Sequence, residues 1–234
     1  MNPALIILGV VIVLIIYLYF FYSTNETILS DKLDLSSKQP DILVANISKP
    51  ESTIYSYEFW VYVGKYVGGT PQTLFSRASD KQTSDNKVIN NIGVYIDGTS
   101  PTLKIDYVKN NSFFTKGTIA VTDNFPVQSW VHVIVSVSDK YIDTYVNGKL
   151  TKSIKETDGI YPQSKDSNPI VFGQHDGTIL AKLTRTTKAT DPQTAWDKYS
   201  AGNGENQFSK YLGTLGMDVS LKKDNIEYSK FNLF

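Results

Sequence analysis

The hydrophobic pattern is most regular in the middle of the chain. From Val131 to Val137 every second residue is valine, which is the period of a β-strand, where successive side chains point to opposite faces. The alternation resumes at residues 141–146 after a short polar turn. Asn147 and Gly148 then supply the two positive-φ residues of a tight hairpin turn, so residues 149–154 should fold back as a third strand. The segment predicts a three-stranded antiparallel meander.

Shorter alternating or apolar runs lie on both sides of this meander. Residues 53–63 alternate, and the face that carries Phe59 is predicted to be buried because it is the more apolar one. Further strands are predicted at residues 42–47, 70–79, 92–96, 103–108, 118–121 and 169–173. Strands at this spacing, with little helical pattern between them, favour an all-β antiparallel sandwich.

One helix is predicted in the polar part of the chain, at residues 192–199. Asp191 is placed to cap its N-terminus, Pro192 suits its first turn, and Gly202 ends it. The sandwich is predicted to span residues 41–205. In the tail, residues 206–234, an alternating run at 217–221 predicts an added edge strand.

The longest apolar run is at the N-terminus. Residues 4–22 contain no charged side chain, and the first charged side chain is that of Glu26. At about 1.5 Å per residue, such a helix approaches the roughly 30 Å hydrocarbon core of a bilayer. Residues 1–22 are therefore predicted to form a transmembrane helix. Its predicted anchor residues are Ala4, Leu5, Ile6, Ile7, Val11, Ile15, Tyr19 and Tyr22.

A cleaved signal peptide is the alternative for this segment. The run has no basic residues before it, and Phe20, Phe21 and Tyr22 stand where a small-residue cleavage site would be, so the anchor is favoured. Residues 23–40 are polar and are predicted to be a linker. Lysines follow the apolar run but do not precede it, which favours the cytoplasmic side for the sandwich.

Composition excludes several classes of function. Lysine plus arginine equals aspartate plus glutamate, 23 of each, and no run of one sign occurs, so a nucleic-acid partner is not expected. The sequence has no cysteine, which excludes disulfides, thiolate chemistry and cysteine-based zinc sites. Three Asn-x-Ser/Thr sequons, which begin at Asn25, Asn46 and Asn110, would matter only if the sandwich were on the non-cytoplasmic side.

The central meander resembles that of concanavalin A-like jelly-roll domains of the laminin G and pentraxin type. The resemblance rests on the Trp-x-His-Val strand, the polar turn and the aromatic-Val-Asn-Gly-Lys hairpin. A Phe-Trp-Val step and a short helix before a glycine extend it over about residues 42–202. It implies a concanavalin A-like β-sandwich behind the transmembrane helix. The residues that carry the fold signature are Trp60, Trp130, His132, Asn147, Gly148 and Trp196.

No catalytic, metal or cofactor site is predicted. Glycosidases of this sandwich class place paired carboxylates in a Glu-x-Asp-x-Glu or Glu-x-Asp-x-x-Glu series, and this sequence has neither. Of the two histidines, His132 is predicted to be buried and hydrogen-bonded to the backbone, and His175 to be a solvated loop residue. Oxygen ligands for Ca²⁺ are too sparse in any one loop. The candidates, which are better explained as turn formers, are Asp97, Asp123, Asn124 and Asp176.

Two non-enzymatic functions fit these features. A membrane helix joined to a jelly roll is similar to proteins of large icosahedral DNA viruses with an internal membrane. On that hypothesis the chain is a minor capsid protein that links the bilayer to capsid or other membrane-associated proteins in the virion. The alternative is a single-pass lectin-like protein of a cell-surface membrane, which binds a glycan or a protein ligand.

Overall fold

Alternating runs of the sequence form two antiparallel sheets. The computed structural model describes residues 9–14, 26–82, 87–163 and 165–203, and the backbone of two C-terminal strands. The strands of the two sheets are β1 (Glu26–Asp34), β2 (Ile54–Val63), β3 (Gln72–Gln82), β4 (Val88–Ile96), β5 (Leu103–Val108), β6 (Lys116–Thr122), β7 (Trp130–Ser138), β8 (Tyr141–Val146), β9 (Lys149–Lys155), β10 (Ile170–Phe172) and β11 (Thr178–Thr186). One sheet has the order β1-β11-β2-β7-β8-β9 and the other β10-β3-β4-β5-β6.

The core lies between the two sheets. The four valines of β7 face it and are 0–1% exposed. Phe59 of β2 is fully buried, as predicted, and its ring meets that of Phe75 of β3 edge to face at 5.3 Å. Interdigitation of this kind between two alternating faces is what joins the layers of a sandwich.

The predicted central meander is confirmed. β7, β8 and β9 are neighbours in the six-stranded sheet, and the turn between β8 and β9 has Asn147 at φ 49° and Gly148 at φ 75°. These are the positive φ values that the Asn-Gly pair predicts.

Three segments differ from the sequence-based expectations. Residues 26–34, expected within a linker, form the edge strand β1, which pairs with β11. β11 itself was not predicted, because a register shift between Ala181 and Thr184 and the positive φ of Lys182 break its alternation. Residues 42–47 form a 3₁₀ turn at Val44–Asn46 and a single bridge to β10 instead of a strand.

The predicted helix is confirmed as α1 (Pro192–Ala201). The Asp191 carboxylate accepts hydrogen bonds from the backbone N–H groups of Gln193 and Thr194, each at 3.0 Å. Gly202 ends the helix at φ 75°. The tail differs from expectation: β12 (Asp218–Lys223) pairs with β13 (Ile226–Asn232) in a separate two-stranded sheet instead of extending the sandwich.

The structure describes only a small part of the N-terminal apolar run. Residues 9–14, which include Val11, are helical. Within the described ranges, no helix combines the length and apolar character needed to cross a bilayer. The other predicted anchor residues lie outside those ranges, namely Ala4, Leu5, Ile6, Ile7, Ile15, Tyr19 and Tyr22. The transmembrane helix stays a prediction.

The sandwich has two distinct ends. We call the end at which β1 begins the basal end; it carries the turns at residues 109–115, 139–140 and 156–161. These turns are joined by hydrogen bonds from Asn110 N–H to the Gly159 carbonyl at 3.0 Å and from Ile160 N–H to the Asp139 carbonyl at 2.9 Å. The opposite end, which we call the distal end, carries the Asn147–Gly148 turn.

Two buried arginines fix the basal end. Arg77 and Arg185 are 0% and 1% exposed. Arg77 donates to the carbonyls of Asn168 and Pro50, and Arg185 donates to the carbonyl of Lys49 at 3.2 Å. Burial is the main cause that lowers the pKa of Arg77. Because backbone carbonyls hold both guanidinium groups, the basal loops are tied to the core.

Candidate functional site

Most of the fold-signature residues meet under helix α1, on the outer face of the six-stranded sheet. Trp60 and His132 pair across β2 and β7, with ring centres 4.9 Å apart. Tyr199 of the helix stacks on Trp60 at 5.7 Å. A Cβ atom at Gly148 would lie 3.1 Å from the Trp196 ring. The exception is Trp130, which packs on Tyr62 at 5.7 Å.

His132 is buried as predicted, but its side chain is not bonded to the backbone. Its Nε2 atom lies 3.2 Å from Oε1 of Glu58. The other Glu58 oxygen accepts a hydrogen bond from Lys198 of α1, which also contacts Glu26 at 2.7 Å. The Asn147 side chain accepts a hydrogen bond from the His132 backbone N–H at 3.0 Å. The contacts of Glu58 with His132 and Lys198, and of Lys198 with Glu26, attach α1 and β1 to the sheet. Their role is therefore structural.

The pKa of Glu58 reflects this packing. Burial alone would raise it, but the hydrogen bond with His132 and the charge of Lys198 outweigh burial, so the pKa of Glu58 is lowered from 4.5. A carboxyl with a lowered folded-state pKa contributes stability above its unfolded pKa, and that stability is lost as the pH falls through the folded value.

We therefore expect Lys198→Met to lower the free energy of unfolding by about 2 kcal/mol at pH 7. This is less than the cost of breaking a fully buried ion pair, because 24% of the Lys198 side chain is exposed. The loss should shrink as the pH falls below about 4.5, since protonated Glu58 no longer needs the cation. Urea unfolding of both proteins at pH 7, 4 and 3 measures this. The control is Lys104→Met, which removes the pair with Asp97 in a distal turn and should cost less than 1 kcal/mol. A loss that is constant with pH would contradict the assignment.

The loop residues considered for metal binding are dispersed. Asp97 accepts hydrogen bonds from Thr99 and Lys104, as a turn former does. His175 is partly buried, not solvated as expected, and burial lowers its pKa. Asp123, Asn124 and Asp176 are exposed. The described ranges contain no group of three histidine, aspartate or glutamate side chains that could hold a metal ion.

A groove of about 550 Å³ lies between the edges of the two sheets. One wall is formed by β6 with the end of β5, and the other by β9. We call it the edge groove. Its size is within the usual range for small-ligand sites. Its lining residues are Tyr107, Lys109, Lys116, Gly117, Thr118, Ile119, Ala120, Lys152, Ile154, Lys155 and Glu156.

A glycine and a tyrosine shape one wall of the groove. The Tyr107 ring lies over Gly117, where a Cβ atom would be 2.1 Å from Cζ of the ring. The Tyr107 hydroxyl donates to Oε1 of Glu156 at 2.6 Å. Burial, and then this hydrogen bond, raise the pKa of Tyr107, so the hydroxyl remains a donor at neutral pH.

The groove is predominantly cationic. Four lysines line it, against the single carboxylate of Glu156, which Lys109 contacts at 3.1 Å. Lys116 contacts Asp106 at 2.7 Å. Lys152 and Lys155 are exposed and have no acidic partner within the described residues. Their ammonium groups are therefore available to an anionic ligand.

The groove has no local sequence motif. Its two walls come from strands that are distant in sequence, and no local motif joins Lys116 to Lys152. The available signal was the density of lysine in β9, KLTKSIK, whose side chains are exposed except for the half-buried Ile154. The predicted signature residues lie elsewhere, because they build the fold.

Comparison with known proteins agrees with this architecture. A family model of the concanavalin A-like lectin/glucanases superfamily matches residues 36–190. The ligand-binding domain of botulinum neurotoxin serotype D, solved with N-acetylneuraminic acid, has a TM-score of 0.55 at 15% identity, over 75% of this chain and 43% of its own. The receptor-binding domain of botulinum neurotoxin D has a TM-score of 0.52 at 17% identity, over 75% and 45%.

At these identities the two toxin domains show a shared fold and no more, and this chain spans less than half of their length. Both are binding domains by name. A search of curated proteins found no match. The family match covers about two thirds of the sequence and nearly the whole two-sheet sandwich. This chain therefore belongs to the concanavalin A-like lectin/glucanases superfamily.

Proposed function

We propose that this protein is a non-enzymatic, membrane-anchored, lectin-like binding protein whose edge groove holds an acidic glycan. The glycan class is an oligosaccharide that carries carboxylate or sulfate groups. Residues 1–22 would anchor the chain in a membrane, which gives a single-pass membrane protein. The lysine lining of the edge groove is the observation that carries the proposal.

The groove chemistry fits this class of ligand. Lys152 and Lys155 would donate to anionic groups, and such charge-assisted hydrogen bonds are stronger than neutral ones. The Thr118 hydroxyl donates to Asp106 at 2.7 Å, and its oxygen can still accept from a sugar hydroxyl; the backbone beside Gly117 offers further polar contacts. The protein as a whole has no net charge. The excess of lysine in the groove is therefore a local feature, and the protein is not expected to bind every polyanion. N-acetylneuraminic acid, an acidic sugar bound by one toxin domain of this fold, is the first ligand to test.

We expect Lys152→Gln combined with Lys155→Gln to weaken binding of a sialylated oligosaccharide at least about a hundredfold, since each of the two lost charge-assisted hydrogen bonds contributes about 1.5 kcal/mol or more. Isothermal titration calorimetry on the detergent-solubilised chain measures the affinity. The double variant should fold normally because both side chains are exposed.

The matched control is Lys65→Gln with Lys149→Gln, which removes two exposed lysines outside the groove and should leave the affinity unchanged. The desialylated oligosaccharide should bind weakly to every variant. Single-stranded DNA serves as a polyanion control. If it binds as tightly as the glycan, charge alone is recognised; if neither binds, the lysines of β9 only protect an open sheet edge from pairing, and the proposal is wrong.

A second candidate function is the minor capsid role, in which the sandwich links an internal membrane to a protein shell. The edge strand β1 favours it: among the described strands it pairs only with β11, it carries a single lysine, and unpaired backbone groups on an exposed strand can pair with a partner chain. The test is to sediment the native protein in a density gradient before and after mild detergent. Retention in a large detergent-resistant particle would support the capsid role, and release as a free protein would support the lectin-like one.

A further inference from the structure

The sandwich begins very close to the proposed membrane anchor. Only three residues separate Tyr22, the last residue of the predicted helix, from Glu26, the first residue of β1. Four Cα-to-Cα steps span at most about 14 Å. Because β1 starts at the basal end, an inserted anchor would hold this end of the sandwich within about that distance of the bilayer surface. This step rests on the anchor of the proposed function.

The basal end presents exposed apolar side chains. Phe113 is 69% exposed, the largest exposure of any large apolar residue in the described ranges. Tyr141, at the start of β8, is 45% exposed, and Val88 and Ile54, at the starts of β4 and β2, are 64% and 42% exposed. Aromatic side chains of this kind favour the headgroup layer of a bilayer.

Phe113 is held outward by an ordered loop. The Asn111 side chain accepts hydrogen bonds from the backbone N–H groups of Phe113 at 3.3 Å and Thr115 at 3.1 Å, and donates to the Thr115 hydroxyl at 2.7 Å. The next residue, Phe114, turns inward and packs on Tyr161 at 5.1 Å. The exposure of Phe113 is therefore a property of the folded loop.

Charged residues of both signs lie beside the basal aromatics. Lysines flank the basal aromatics: Lys109 precedes the Phe113 loop, Lys140 precedes Tyr141, and the Lys155 ammonium lies 5.6 Å from the Tyr141 ring centre. The same turns carry Asp139, Glu156 and Asp158, and Glu156 is paired with Lys109 at 3.1 Å. Lys140 is exposed and has no acidic partner among the described residues, so its ammonium group is available to an anionic surface.

We propose that the basal end docks on the headgroups of an anionic bilayer, with Phe113 and Tyr141 in the headgroup layer and Lys140 beside the lipid phosphates. The short tether, the exposed aromatics and Lys140 all lie at this end. Docking there would stand the sandwich upright on the membrane. The edge groove, which opens between β6 and β9, would then lie beside the bilayer.

The absence of cysteine from the sequence allows the docking geometry to be measured with single labels. Ser112→Cys places a fluorophore next to Phe113, and Thr70→Cys places one in an exposed distal turn. The full chain is inserted into phosphatidylserine nanodiscs that contain headgroup-level nitroxide lipids. We expect several-fold stronger quenching of the label at residue 112 than of the label at residue 70.

Two further variants test the contacts. In the Ser112→Cys background, Phe113→Ser and Lys140→Glu should each reduce the quenching, since one lysine near an anionic surface shifts the docked population about fivefold. Val67→Ser and Lys65→Glu, at the distal end, are the matched controls and should not. Discs of phosphatidylcholine alone should give weaker quenching.

Equal quenching at residues 112 and 70, or stronger quenching at residue 70, would overturn the docking geometry while leaving the anchor and the glycan groove intact. Failure of the chain to co-elute with nanodiscs would instead remove the anchor itself, and the docking proposal with it. Glycan affinity, measured separately in detergent, is independent of both outcomes.

Discussion

Gly148→Ala is expected to lower the free energy of unfolding by about 2–4 kcal/mol. Gly148 has φ 75°, where a Cβ atom costs about 1–2 kcal/mol. The added Cβ would also lie 3.0 Å from Cβ of Tyr199 and 3.2 Å from Cα of Trp196. These atoms are fixed to the backbone of α1, so the helix must shift and loosen its packing on the sheet. Urea unfolding followed by circular dichroism measures the effect.

Gly159 provides the matched control for this substitution. It has φ 80°, and the nearest atom to an added Cβ is 3.7 Å away, so Gly159→Ala carries the backbone strain without the clash. We expect a loss of about 1–2 kcal/mol. Equal losses for the two variants would show that the turn does not support the helix.

Gly117→Ala is expected to cost about 2–3 kcal/mol and to impair glycan binding. The added Cβ would overlap the Tyr107 ring at 2.1 Å, and this ring is only 4% exposed, so it must move within a packed site. Its hydrogen bond to Glu156 would be lost and the groove wall would change shape.

A double-mutant cycle tests the cause of that loss. Tyr107→Leu removes the ring, so adding Gly117→Ala to it should cost little more than Tyr107→Leu alone, which gives a coupling free energy of about 2 kcal/mol. Additive losses would mean that the ring does not lie on Gly117 in solution.

Sequence pattern predicted the interior of the fold better than its edges. The strands of the meander were found because β7 is buried on both faces and its valines alternate, and α1 was found because its capping residues are local in sequence. β1 was missed because an edge strand needs few apolar residues: most of its side chains are exposed or half-buried, and Leu33 is its one buried residue.

The candidate site depended on tertiary structure. Trp60, His132 and Trp196 were singled out by a family resemblance, and they stabilise the helix on the sheet. The edge groove needs β6 and β9, which belong to different sheets and lie next to each other only after the sandwich closes. A periodicity argument treats each strand separately, so it identifies exposed lysines but not the partner wall that makes them a groove.

The central claim, that the edge groove binds an acidic glycan, is tested most directly by lysine footprinting. The full chain is acetylated with and without a sialylated oligosaccharide, and the modification of each lysine is measured by mass spectrometry. We predict that the glycan protects Lys152 and Lys155 most strongly, with weaker protection of Lys109 and Lys116, while Lys65, Lys149 and Lys188 react as before. Unchanged reactivity in the groove under conditions where the glycan is bound would contradict the account.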